Sequence, residues 1–145
     1  MAKLKLNIDD IEDDFFTGSR LLGIISQLKN YRFCWQVNAQ LKYDFRLNAD
    51  AEVQLKKKER NYFFQVYQFC EADCETEHYI YHNQFEGEYL LPEFKHFDFL
   101  WLVKADIIPE EDFIDLQQNL KTIPGVQLVT ELTKEKIRHK ENLIL

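Results

Sequence analysis

Four side chains stand at metal-ligand spacing in the middle of the chain. Cys70, Cys74, His78 and His82 follow the pattern C-x3-C-x3-H-x3-H. Two thiolates and two imidazoles suit tetrahedral zinc. On one helix the four would line a single face, but the flanking YFFQVYQF and YIYH alternate with the period of strands. A hairpin would let Cys70 and His78 face each other and would carry His82 about 13 Å further along at the usual rise per residue. Four ligands then fail to converge. The expectation is a hairpin without metal, and a chain without a cofactor.

Asp98 is the second candidate. It abuts FLWLV, the longest unbroken apolar run. In a strand over 97–103, Phe97, Phe99, Trp101 and Val103 face one way, and Asp98, Leu100 and Leu102 face the other. A carboxylate on an apolar face must be paired or hydrogen-bonded. It can accept backbone N–H groups or pair with a base. It can line a ligand pocket. It can act as a general acid or base with a pKa raised by desolvation. The first role is favoured. Asp98, Asn38, Arg32, His96 and Glu93 form the candidate polar cluster, and none is assigned a catalytic role.

Two further features are weighed and set lower. Cys34 falls on the buried face of an expected helix, where an apolar site makes a thiol inert. Lys56, Lys57, Lys58 and Arg60 form a basic tip, followed by Tyr62, Phe63, Phe64 and Tyr67, which could stack single-stranded bases if exposed. The net charge of −7 repels phosphate and anionic membrane surfaces alike, so nucleic acid is disfavoured as a partner. No Gly-rich phosphate loop, G-x-S-x-G elbow or H-E-x-x-H pair is present.

These residues need elements to position them. The 145 residues suit one domain, 1–145, and the 46% apolar and 30% charged content is globular. FLWLV is far short of the ~20 residues that span a bilayer. MAKLKLNIDDIEDD lacks a secretory apolar region. Three cysteines without a disulfide framework fit a reducing cytoplasm.

KLKLNID (3–9) could form a short first strand, and the acid-rich stretch after it a solvated turn. FFTGSRLLGIIS (15–26) has two glycines and is expected as a strand or irregular edge. A helix is expected over 27–42, with Ser26 as its cap. Leu28, Tyr31, Phe33, Cys34, Trp35, Val37 and Leu41 share its apolar face, and Asn38 falls in the middle of them. DFRLN, AEVQLK, RNYFFQVYQF and EHYIYHNQ are expected strands, with tips at KKKER and EADCETE and a turn at Gly87. FDFLWLVKA is a strand covered on both sides. Pro109 and three acids open a helix over 109–122, and Pro124-Gly125 ends it. VQLVTELT is the next strand, so the C-terminal half is a βαβ unit with parallel strands. KEKIRHKENLIL is expected to close the chain as a helical turn and a short strand. The fold class is α+β, mostly antiparallel, with both helices on one face and a ferredoxin-like second half as one arrangement it permits.

Leu91-Pro92-Glu93-Phe94-Lys95-His96-Phe97-Asp98-Phe99 resembles the motif of the IPExxxVDY family, small proteins of Bacteroidetes-type bacteria. Pro92, Glu93 and Asp98 match, while Leu91, Phe97 and Phe99 replace Ile, Val and Tyr. Tyr31-Arg32-Phe33-Cys34-Trp35 is similar to a Tyr-Arg-Leu-Cys-Trp-type segment of such proteins. The resemblance implies a bacterial cytoplasmic protein and brings no activity, cofactor or catalytic residue. In physical terms it suggests that Asp98 meets Arg32 or Asn38 and ties the first helix to the central strand.

The favoured expectation is a non-enzymatic binding or adaptor module, with a protein partner or a second copy of the chain as its ligand. A small-molecule enzyme built on the Asp98 cluster is the first alternative. A single-stranded nucleic-acid binder using the Lys56–Arg60 tip is the second.

Overall fold

The computed structural model describes residues 18–47, 53–57, 59–72 and 75–143. The strand expected at 3–9, the acidic turn after it, Cys74 and the last two residues lie outside them. The described elements are β1 (Arg20–Ser26), α1 (Asn30–Leu41), β2 (Arg46–Leu47), β3 (Val53–Lys57), β4 (Arg60–Phe64) and β5 (Val66–Cys70). They continue with β6 (Glu77–His82), β7 (Gln84–Phe85), β8 (Glu88–Tyr89), β9 (Phe99–Lys104), α2 (Glu110–Lys121) and β10 (Val126–Leu132).

The fold is α+β. The main sheet has the order β10-β1-β9-β6-β5-β2, and β3-β4 and β7-β8 are separate hairpins. β1 runs antiparallel to both β9 and β10, so β9 and β10 are parallel to each other with β1 between them. The C-terminal strand–helix–strand is thus a split unit. Its parallel sense was legible, but the interposed strand was not, because periodicity does not say which strands are neighbours. With β6 antiparallel to β9, β10-β1-β9-β6 and the two helices have the ferredoxin-like order. β5 and β2 extend it. β1 is therefore a central strand and not an edge.

Alternation along the strands fills both faces of the sheet. Leu22, Ile24, Phe99, Trp101 and Val103 pack under α1 and α2, through Phe33, Val37, Phe113 and Leu120. Leu21, Tyr79, Tyr81, Leu100 and Leu102 pack on the other side against the β3–β4 hairpin and the 90–97 loop. Ile137 and Leu143, in the C-terminal chain, join the second cluster. That chain forms 3-10 turns, Lys134–Lys136 and Lys140–Leu143, in place of the expected strand. Tyr81 fixes it by donating its hydroxyl to the Leu143 carbonyl at 2.6 Å.

Several boundaries differ from the sequence expectation. The first helix begins at Asn30, not 27, and Lys29 precedes it where Ser26 was expected to cap it. Ser26 instead ends β1. Its N–H donates to Asp98 Oδ2 at 2.9 Å and its hydroxyl to the Gly125 carbonyl at 3.0 Å. RNYFFQVYQF breaks at Gln65 into β4 and β5, which belong to different sheets. Tyr31 and Trp35 are 60% and 66% exposed, so the buried stripe of α1 is narrower than its apolar residues suggest. The strand expected from Phe97 starts at Phe99. Phe97 packs with the Leu100 and Leu102 cluster, and a Cβ on Gly23 would lie 2.7 Å from its ring. Asp98 is the residue at which the chain crosses from one face to the other.

Asn83, 0% exposed, holds this crossing in place. Its Nδ2 donates to the Phe94 carbonyl at 3.1 Å and the Phe97 carbonyl at 3.0 Å. Its Oδ1 accepts the Leu91 N–H at 2.9 Å. Its backbone accepts from Leu90 at 2.9 Å and donates to the Asp98 carbonyl at 3.0 Å. Replacing Asn83 by Ala leaves the Leu91 N–H and the Phe97 carbonyl without this partner, each worth about 1–3 kcal/mol when unpaired, while the Phe94 carbonyl keeps the Phe97 N–H. Asn83→Ala is expected to lose about 3 kcal/mol of stability in urea unfolding. A loss inside the experimental error would show that the loop is held by its apolar packing alone.

Candidate functional site

The site is a cleft of about 350 Å³ between α2 and the turn that joins β5 to β6. Glu71 and Thr76 come from that turn, Tyr43 from the link between α1 and β2, and Asp112 and Asp115 from α2. His78 of β6 lines the cleft too, and only 3% of it is exposed. At the base of that turn the Glu71 N–H donates to the Thr76 carbonyl at 3.0 Å.

A chain of hydrogen bonds runs from the core into this cleft. Trp101 Nε1 lies 3.1 Å from His78 Nδ1, and His78 Nε2 lies 3.2 Å from Glu71 Oε2. An indole N–H can only donate. His78 Nδ1 must therefore be the acceptor, the neutral ring carries its hydrogen on Nε2, and that N–H donates to Glu71. Rings surround the imidazole. Tyr43 is 5.4 Å away between centroids, Phe69 and Trp101 5.8 Å, and Phe45 6.2 Å. Burial pushes the His78 pKa below 6.5, and the hydrogen bond and charge of Glu71 oppose this without overcoming it. Burial, then the charges of Glu71 and Asp112, push the Tyr43 hydroxyl up. The cleft thus presents neutral Tyr43 and His78 among three carboxyl groups, and no Lys or Arg is among its lining residues.

The sequence-derived candidates are dispersed. Asp98 binds the Ser26 N–H. Asn38 spends its amide on Phe45, accepting from its N–H at 2.8 Å and donating to its carbonyl at 3.1 Å. Glu93 accepts from the backbone N–H groups of Arg138 and His139, and its Oε1 lies 2.8 Å from His139 Nδ1. Arg32 and His96 are exposed. Among the described residues no hydrogen bond joins any two of these five. The amide on the apolar face did find partners, but seven residues along the chain and not on the central strand.

The three described members of the Cys/His set, Cys70, His78 and His82, are dispersed as well. β5 pairs with β6 so that Phe69 meets His78 and Cys70 meets Glu77. Alternation then puts Cys70 and His78 on opposite faces, and Ile80 separates His78 from His82. Among the described residues no group of three or more His, Cys, Asp or Glu is placed to hold a metal ion. Tyr62, Phe64 and Tyr67 are buried, so of the aromatics after the basic tip only Phe63 faces outward. Arg60 donates to Glu86 at 3.1 Å, and the side chains of Lys57 and Lys58 lie outside the described ones. No described helix is long and apolar enough to cross a membrane.

Glu71 and the Trp101–His78 contact were missed from sequence. His78 was weighed as a hairpin residue or a metal ligand, and Glu71 only as part of a tip. The available signal was a Trp certain to be buried, whose N–H needs an acceptor, and a His at strand spacing on an apolar face.

Fold and site define an α+β protein with a ferredoxin-like strand order and an acidic cleft floored by a buried imidazole. No protein-family model, curated protein or solved structure matches the chain.

These environments set the acid response. Burial holds His82 below 6.5 as it does His78, with the charge of Asp98 opposing. The unfolded chain binds protons first at both rings. Their contribution is fully present above about pH 6.5 and falls as pH drops through the lowered folded values. For Glu93, burial acts upward, but the hydrogen bonds from its own backbone N–H, His139 and Arg138 hold the carboxyl below 4.5. Its contribution is present above that value and is lost as pH falls through the folded one. Urea midpoints from about pH 7.5 to 3.5 should fall in two stages. His78→Gln should shrink the first to the share of His82, and Glu93→Gln should flatten the second. A flat profile down to about pH 5 would mean that the two rings titrate normally.

Proposed function

We propose that this chain is a non-enzymatic binding module of a reducing bacterial cytoplasm. Its ligand site is the cleft around Glu71, and its ligand is an organic cation, either a free amine or a Lys or Arg side chain of a partner protein. The observation that carries this reading is the Trp101–His78–Glu71 chain. One carboxylate oxygen is held from the core by an N–H, and the other has no hydrogen-bond partner among the described residues. Asp112 and Asp115 add negative charge, and Tyr43 lines the same cleft. An anion in the same space would meet repulsion with no Lys or Arg among the described lining residues to offset it.

Binding is better supported than catalysis. A general base needs a lone pair facing its substrate. The only lone pair of His78 faces Trp101 in the core. Burial pushes the Cys34 thiol far above its ordinary range, which suits packing and not nucleophilic attack. An enzyme centred on Asp98 has less support, because that carboxylate closes the junction of β1 and β9. The resemblance to the IPExxxVDY family belongs to this proposal. It supplies the bacterial setting, while the Leu91–Phe99 segment that carries it serves the core and not the cleft.

The test uses n-butylammonium and n-butyrate as probes in 15N NMR titrations at about pH 7.5. Butylammonium is expected to shift the amide signals of Glu71, Thr76 and Asp112, and butyrate to leave them in place. Glu71→Gln should weaken the ammonium affinity roughly tenfold, about 1.4 kcal/mol. Equal shifts with both probes would reject charge recognition, and no shift with either would reject the cleft as the site.

A further inference from the structure

We propose that the cleft is proton-gated: protonation of His78 and occupancy of the cleft by a cation exclude one another, so acidification releases the ligand. This rests on the reading of the cleft as a cation site and names how that site is regulated.

The geometry begins with Trp101. Its indole N–H points at His78 Nδ1 across 3.1 Å, with the indole fully buried and the imidazole nearly so. A proton added to Nδ1 would set two donors against each other where no solvent can intervene. Imidazolium therefore cannot keep the Trp101 bond. Its other N–H remains on Glu71 Oε2, at 3.2 Å. That changes what the cleft presents. Glu71 then has a full positive charge behind it in place of a neutral donor, and its attraction for a second cation is largely cancelled.

The groups that face His78 act in both directions. Glu71 from the β5–β6 turn, and Asp112 and Asp115 from α2, line the same cleft and favour the charged ring. Tyr43 is neutral, and its ring, with Phe45 and Phe69, walls the imidazole in. Trp101 from β9 does not titrate. Burial opposes protonation, and it prevails. A cation bound to the carboxylates removes the part that favours protonation and so moves the ring further from its charged form. Linkage makes the effect reciprocal: the factor by which the ligand suppresses protonation is the factor by which protonation weakens the ligand. Below the pKa of His78, the dissociation constant should rise by up to about tenfold per pH unit.

The experiment follows His78 in the full chain by long-range 1H–15N imidazole spectra from about pH 7.5 to 5, with and without saturating n-butylammonium. The amine's affinity is measured over the same range. The expected results are the Nε2–H tautomer at neutral pH, a midpoint below 6.5 that falls further with the amine, and an affinity that drops as the ring protonates. Trp101→Phe removes the opposing donor and should move release to higher pH. The wild-type titrations decide the matter if that core variant does not fold. An affinity that stays constant across the range, or a midpoint unmoved by the amine, overturns the gate and leaves the cation site standing. No binding at about pH 7.5 overturns both.

Discussion

β9 runs through the middle of the sheet with neither side facing water. Helices lie over Phe99, Trp101 and Val103, and the 90–97 loop with the β3–β4 hairpin lies over Leu100 and Leu102. Burial on both sides gives the chain its core, but it imposes a condition. Every polar group carried into the interior must find a partner there, because no solvent is available to supply one. Among the described residues the condition is met: no buried side-chain nitrogen or oxygen lacks a hydrogen-bond partner.

The polar residues near β9 follow from this condition. Asn83 satisfies the loop that closes one face, and Asp98 the junction where β1 ends and β9 begins. Asn38 satisfies the chain leaving α1. Each answers to a backbone group that the fold would otherwise bury alone. Glu93 ties the exposed link between the two C-terminal 3-10 turns, with the His139 ring as a further partner.

His78 meets the same condition with a different outcome. The Trp101 indole needs an acceptor inside the core, and His78 supplies it. The imidazole that answers this need has a second nitrogen, and that nitrogen reaches the surface at Glu71. A core requirement thereby orients a carboxylate at the wall of a cleft. Six segments meet there: the link after α1, the β5–β6 turn, β6, β9, the link from β9 to α2, and α2. Arg20 helps seat α2 from the far side, with its guanidinium 3.9 Å from the Phe113 ring centroid and its charge on Glu110 and Glu131.

Local signals in the sequence determined the elements and their classes. The 109–122 helix was legible because Pro109, three first-turn acids and Pro124-Gly125 mark its ends, and Phe113, Leu116 and Leu120 its buried stripe. Double-sided burial of the central strand was legible in its unbroken apolar run, and the satisfied amide of Asn38 in its place on an apolar face. Strand order, the start of β9 and the partners of Asp98 were not legible. They depend on which strand lies beside which, and periodicity is blind to that. The site was decided by the tertiary structure alone. His78 and Trp101 are 23 residues apart, and their contact exists only because β6 and β9 pair in one register. Shifting that register by one residue would turn His78 to the other face of the sheet. Residue types set what the ring can do, and the pairing of two strands set what it touches.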